Sequence, residues 1–272
     1  MAIKIGIVNQ KGGVGKTTTA ICLTDALTQI GYKVLLVDFD PQGNTSSVFR
    51  AQNSIYTIYD VITDNIPMQN VIIKGNIMGD IVPANDRLNR AIKELVVEKA
   101  SENKLKRALD TIEKDYDIII MDSNPSPNIL MDNVLTAVNG IIVPMEPEGF
   151  SISGISALLK NVNEIQDYLN PNLEIYGILL TRYNHNKAVH KNIKAQFEKL
   201  DESIVHTFKT IIRDSDAIPQ TQGFVSIDEP TKFSEKKIVN SQGSIYKYCM
   251  SNGARDYSAF AQEFLEVIAN GK

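Results

Sequence analysis

The 272-residue chain is poor in cysteine, has no excess of basic charge and holds no apolar run approaching the length of a membrane span. Each shortage excludes something. Two cysteines, Cys22 and Cys249, lie far apart and make no disulfide framework, which fits a reducing cytosol. Cys22 falls inside a helical pattern and reads as a small core residue rather than a ligand. A net charge of −4 excludes a bulk-basic nucleic-acid binder. Any such binding must come from a local patch, or from one assembled on dimerisation. Without a run of about 20 apolar residues, no transmembrane helix is expected. The N-terminus passes straight into an apolar strand with no signal-peptide pattern. His185, His190 and His206 lack metal-ligand spacing with cysteine or acid partners, so no transition-metal site is expected. No internal repeat or low-complexity stretch stands out.

What the chain does have is a regular alternation of short apolar runs and helix-length segments. The runs at 3–8, 34–37, 118–121, 141–143 and 175–180 are continuous rather than alternating in polarity. Strands buried on both faces of a sheet look like this. Helical patterns lie at 17–30, 86–114, 152–168 and 187–200. The expected fold is α/β and doubly wound: a mostly parallel sheet flanked by helices, in one domain spanning 1–272. The polar, lysine-containing stretch 226–253 reads as a surface excursion within that domain. The segment 256–269 places Tyr257, Phe260, Ala261, Phe264, Leu265 and Ile268 on one face, with Glu263 and Glu266 opposite. That pattern predicts a helix docked on the sheet, since a membrane-surface helix would carry lysine or arginine there.

The chemistry starts at Lys11-Gly12-Gly13-Val14-Gly15-Lys16-Thr17-Thr18, between the first strand and the first helix. A strand, a glycine-rich loop and a helix in that order form a phosphate cradle. The glycines let a polyphosphate approach the backbone, whose N–H groups and helix dipole face its oxygens. Lys16 would reach the β- and γ-phosphates, and the Thr17 hydroxyl would ligate Mg²⁺. After the second strand comes Val37-Asp38-Phe39-Asp40-Pro41-Gln42-Gly43-Asn44, with two carboxylates where open α/β sheets bind ligands. Only one of them need face the phosphates. Tyr116-Asp117-Ile118-Ile119-Ile120-Met121-Asp122 is an apolar run ending in an acid, the Walker B pattern, with Asp122 presented to Mg²⁺ through water. Asp117 reads as a strand-entry residue.

The general form of this loop would need glycine at position 10, where the chain has Gln10, and a second lysine, Lys11, sits at its mouth. This resembles the deviant P-loop of the ParA/MinD family of ATPases. The Asp-Phe-Asp-Pro-Gln string and the segments 57–62, 80–85 and 149–154 resemble the same family, most closely its ParA/Soj partition branch. Glu148 and Phe150 stand where the family's strand returns to the dimer side. The resemblance implies that Lys11 crosses a dimer interface to the partner's nucleotide, giving a homodimer that sandwiches two ATP molecules. It implies that Asp40 orients the attacking water and contacts the Mg²⁺ shell, with Asp38 beside it. Turnover is then expected to be slow, with no strong general base in evidence. Family members follow the Walker B acid with Thr-Pro-Pro, whereas this chain has Ser123-Asn124-Pro125-Ser126.

Thr181, Arg182, Arg213 and Asp214 fall in segments resembling the family's adenine side, and a bland surface role, an ion pair for the three charged ones, is an equal reading of each. The resemblance further implies non-specific binding of duplex DNA by the ATP dimer, and a ParB-like centromere-binding partner that stimulates hydrolysis. The setting it implies is cytoplasmic and nucleoid-associated, with no membrane partner. Lys187, Lys191 and Lys194, at helical spacing, are the first candidates for the DNA face, alongside Arg182, His185 and His190. Lys232, Lys236, Lys237 and Lys247 are a second group, and a solvated surface is the bland reading of both. The alternatives on the same fold are a membrane-positioning ATPase like MinD, an iron-protein or arsenite-pump ATPase needing paired cysteines, and a metabolic ligase.

Overall fold

The computed structural model of the chain describes residues 1–75, 78–149, 152–197, 206–214 and 252–270. Six strands form one sheet: β1 (Ile3–Ile7), β2 (Val34–Phe39), β3 (Asp80–Val82), β4 (Ile118–Ser123), β5 (Gly140–Met145) and β6 (Glu174–Leu180), in the order β3-β2-β4-β1-β5-β6. Every neighbouring pair among them is parallel. The apolar runs are continuous because alternate residues of one strand enter different layers. Val34, Leu36, Ile118, Ile120 and Ile142 face one layer, and Leu35, Val37, Ile119, Met121, Ile141 and Val143 face the other.

The first layer holds α1 (Lys16–Gln29) and α9 (Asn252–Ala269), packed against each other. The second holds α3 (Ile58–Ile62), α4 (Leu88–Val96), α5 (Lys104–Asp110), α6 (Ile129–Ala137) and α7 (Ile152–Tyr168). Two further helices, α2 (Asn44–Val48) and α8 (Ala188–Phe197), lie near the carboxyl ends of the strands that precede them in sequence. As expected, α9 docks: Tyr257, Phe260 and Phe264 are all but completely buried, and the Tyr257 hydroxyl lies 3.0 Å from Thr19 Oγ1 on α1. Glu263 accepts the backbone N–H groups of Lys209 and Thr210, so it serves the fold rather than facing solvent alone.

Two expectations need correction. The helix expected over 86–114 is two helices joined by a 3₁₀ turn at Ser101–Asn103, with Ala100 in the left-handed region at φ 55°. The surface excursion assigned to 226–253 already gives way to α9 at Asn252, and the remainder, with Lys232, Lys236, Lys237, Lys247 and Cys249, lies outside the described residues. Phe150 lies outside them too. Asp117 does enter a strand, accepting the Lys33 N–H at 2.8 Å, and Cys22 is buried on α1. No helix among the described residues is long and apolar enough to cross a membrane.

Candidate active site

The glycine-rich loop leaves the carboxyl end of β1, between β4 and β5, where the chain's excursions to the two sheet edges separate. In open parallel sheets the ligand crevice lies there. Gly13 and Gly15 have φ of +78° and +88°, a region that side-chain-bearing residues avoid. A Cβ at Gly12 or Gly13 would meet nothing within 4 Å, so the loop borders open space a phosphate could fill. Helix α1 starts at Lys16 with no side-chain cap and no acid in its first turn. Its leading N–H groups are therefore available to an anion.

Four functional side chains converge here. Lys16 is buried and its Nζ donates to the Lys11 carbonyl at 3.0 Å, closing the loop on itself. Burial pushes its pKa down, while the nearby Asp122 and Asp40 carboxylates pull it back up. Asp122, at the end of β4, accepts the Thr45 hydroxyl at 2.7 Å through Oδ2, and its Oδ1 is buried with no partner among the described residues. The Thr17 hydroxyl interacts with the same carboxylate. Burial raises the Asp122 pKa well above the ordinary range, against the opposing effect of the Thr45 and Thr17 hydroxyls. A buried, partnerless carboxylate oxygen beside a hydroxyl and a lysine fits a hydrated divalent cation.

Asp38 and Asp40 part company at the strand end. Two residues apart, they would share a face if β2 continued, but β2 ends at Phe39. Asp38 stays in the sheet, opposite Asp122 in register. Its Oδ2 accepts both the N–H (2.8 Å) and the hydroxyl (2.6 Å) of Ser46, and burial followed by repulsion from Asp122 raises its pKa. Asp40 accepts the Gln42 N–H at 2.9 Å and lies within electrostatic reach of both Lys16 and Asp122. Lys11 is exposed at the loop mouth, its backbone N–H bound by Asn9 Oδ1 at 2.9 Å.

The four adenine-side candidates gather in one place with separate tasks. The Thr181 hydroxyl donates to the Val14 carbonyl at 2.8 Å, supporting the phosphate loop from below. Arg182, in the left-handed region at φ 51°, lies 3.5 Å from Glu146 and 3.8 Å from Asp214. Arg213 gives its guanidinium to Asp256 of α9, at 2.6 Å and 2.9 Å. Arg213 is thus an anchor for α9, and Asp214 donates its N–H to the Tyr183 carbonyl. Of the DNA-face candidates, Lys187 and Lys191 are exposed and Lys194 is half-buried. Lys187 is paired with Glu148. His190 is buried: its Nδ1 accepts the Asn184 N–H at 3.0 Å and its Nε2 faces Glu148. Sequence reasoning missed Thr45 and Ser46, whose side chains bind the two strand-end acids.

A parallel sheet with a glycine loop at its central strand, a loop lysine, a helix-start threonine and a buried strand-end acid defines a P-loop nucleoside triphosphatase. Comparison with known proteins narrows the class. The family model described as "AAA domain" matches residues 2–175. The sporulation initiation inhibitor protein Soj of Bacillus subtilis is 38% identical over 76% of this chain and 83% of its own length. The chromosome partitioning protein ParA of Caulobacter vibrioides is 36% identical over 74% of this chain and 79% of its own. The chain belongs to the ParA/Soj-type family of P-loop ATPases. Among solved structures, cobyrinic acid a,c-diamide synthase from Mycobacterium smegmatis, with bound ATP analog and magnesium, superposes with a TM-score of 0.82. It is 26% identical and covers 100% of this chain and 98% of that one. A putative plasmid partition protein from Borrelia burgdorferi, bound to AMPPNP, has a TM-score of 0.75 at 24% identity, covering 100% of both chains, and so shares the fold.

Proposed function

We propose that this chain is an ATP-switched DNA-partition ATPase. Two ATP molecules are sandwiched in a homodimer, the dimer binds duplex DNA without sequence preference, and slow hydrolysis releases it. A ParB-like, centromere-bound partner accelerates that hydrolysis. The single observation that carries the reading is Lys11, exposed at the mouth of a phosphate loop whose other lysine, Lys16, is already committed within its own subunit. A second cation in that position serves a neighbouring subunit's phosphates better than its own. The naming of two relatives for sporulation control and chromosome partitioning supports the same reading.

The residues divide the work. The loop N–H groups and Lys16 hold the polyphosphate, and catalysis is mainly positioning and charge neutralisation. Thr17 and Asp122 would hold magnesium, which when bound balances charge on the phosphates. Asp40 orients the attacking water. The exposed Lys187 and Lys191, with Lys194, would meet DNA phosphates on a dimer face, placing the protein on the nucleoid in the cytoplasm. The MinD-like alternative gains nothing from α9, whose aromatic face is spent in the core.

The test is the assembly state with ATP, read by sedimentation alongside the hydrolysis rate. Asp40→Ala is expected to accumulate as an ATP-bound dimer with hydrolysis reduced at least about 100-fold, the scale of a lost transition-state contact. Lys11→Ala should bind ATP yet stay monomeric. Fast turnover by a protein that is monomeric with ATP would overturn the reading.

A further inference from the structure

The two oxygens of Asp122 are not equivalent. Oδ2 accepts the Thr45 hydroxyl at 2.7 Å, while Oδ1 is equally buried and has no partner among the described residues. Thr45 is itself fully buried and stands in the first turn of α2, the helix that follows the loop carrying Asp40. The next residue completes the attachment. Ser46 holds Asp38 by both its N–H and its hydroxyl, and the Ser46 hydroxyl oxygen accepts the Ala84 N–H at 2.7 Å from beyond β3. Asp38 and Asp122 are register partners on β2 and β4. Two consecutive hydroxyl residues on one short helix are therefore clamped onto two adjacent strand-end acids, and the loop bearing Asp40 is strung between those anchors.

A buried carboxylate oxygen without a donor is costly, so its persistence calls for a donor or cation that arrives later. A threonine hydroxyl carries one proton, and here that proton goes to Oδ2. The contact fixes the rotation of the carboxylate and leaves Oδ1 without a hydrogen bond among the described residues, on a carboxylate that the Thr17 hydroxyl also approaches. Partners of this kind, one step removed from a metal, set the orientation of the groups that face it. We propose that Thr45 is a positioning residue for the magnesium-facing oxygen of Asp122, and that it ties the Asp40 loop to the metal-bearing strand. The proposal rests on the ATP and magnesium reading of the site.

Three substitutions test it. Thr45→Val keeps the shape and removes the hydroxyl, Thr45→Ser keeps the hydroxyl, and Thr45→Ala only removes atoms should the valine variant fail to fold. The readout is thermal stabilisation by a non-hydrolysable ATP analogue, titrated with Mg²⁺ and repeated in EDTA. Loss of the hydroxyl should raise the Mg²⁺ concentration for half-maximal stabilisation by roughly tenfold or more. Analogue affinity in EDTA should stay within about twofold, a change below roughly 0.4 kcal/mol, and Thr45→Ser should restore the wild-type titration. A hydroxyl-free variant whose Mg²⁺ titration overlays wild type would overturn the proposal. So would equal loss of affinity with and without Mg²⁺, which marks a merely structural contact. If the wild-type protein itself responds to the analogue without regard to Mg²⁺, the magnesium reading fails first, before any variant is compared.

Discussion

The Thr181 hydroxyl reaches across 167 residues of sequence to the Val14 carbonyl, and the Thr45 hydroxyl across 77 to Asp122. Neither contact was legible in the sequence, because each joins a loop to a distant strand end that only the fold brings near. The gathering of Lys16, Thr17, Asp40 and Asp122 at one end of the sheet was legible, because those residue types stand at fixed offsets from a glycine loop and two strands. The Thr181 hydroxyl, a candidate adenine contact on resemblance, donates to the loop backbone. A loop support acts on every nucleotide alike. Thr181→Val should weaken ATP and GTP binding in parallel, by about fivefold, the worth of one buried hydrogen bond at about 1 kcal/mol. Equilibrium titration with both nucleotides decides the matter, and a selective loss of ATP affinity would return Thr181 to the adenine site.

At the scale of elements, five of the six strands announced themselves as unbroken apolar runs, because both faces of each are covered. The sixth, β3, has three residues, too few for any periodicity to register. Helix α6 and the short α2 and α3 were also missed; α3 is set by a capping box of Thr57 and Asp60 rather than by a long apolar stripe. The break in the helix expected over 86–114 did leave a trace. Leu88, Ala91 and Leu95 are buried, then Leu105 and Leu109, while the positions that would continue the stripe are Glu98, Lys99 and Glu102.

Edge strand β3 is held by a polar cluster. Asp80 accepts Lys74 Nζ at 2.7 Å, the Tyr116 hydroxyl at 2.6 Å and the Gly75 N–H at 3.0 Å. Burial works to raise the Asp80 pKa, but these donors outweigh it and hold it below the ordinary 3.8. A depressed carboxylate contributes stability above its unfolded value and loses it as pH falls toward the folded one. Asp80→Asn should therefore be less stable than wild type by about 2 kcal/mol at neutral pH. The gap should close as the pH drops below 3.8. Urea unfolding at several pH values measures it, and a gap indifferent to pH would mean the charge on Asp80 does not hold the edge.

At the scale of the whole molecule, the doubly wound architecture and the family were both legible, since the strand–helix alternation fixes the one and the deviant loop the other. The coupling between parts was not. Arg213 ties the segment beside the site to α9 through Asp256, and Lys187 is paired with Glu148 at the exit of β5. Such pairs join surfaces whose proximity is a property of the fold, and a list of charges along the chain does not contain them. They bear on the proposal because the proposed DNA face at α8 and the proposed dimer side at Glu148 are neighbours.

The central claim is that nucleotide state controls DNA binding. Its most direct test is the affinity of the protein for non-specific duplex DNA with ATP and with ADP over a series of salt concentrations, with Asp40→Ala holding the ATP state. The expected result is binding with ATP only, weakening steeply as salt rises because lysine–phosphate contacts release counterions, and absent in Lys16→Ala. A protein that dimerises with ATP yet binds no DNA at any salt concentration would contradict the claim.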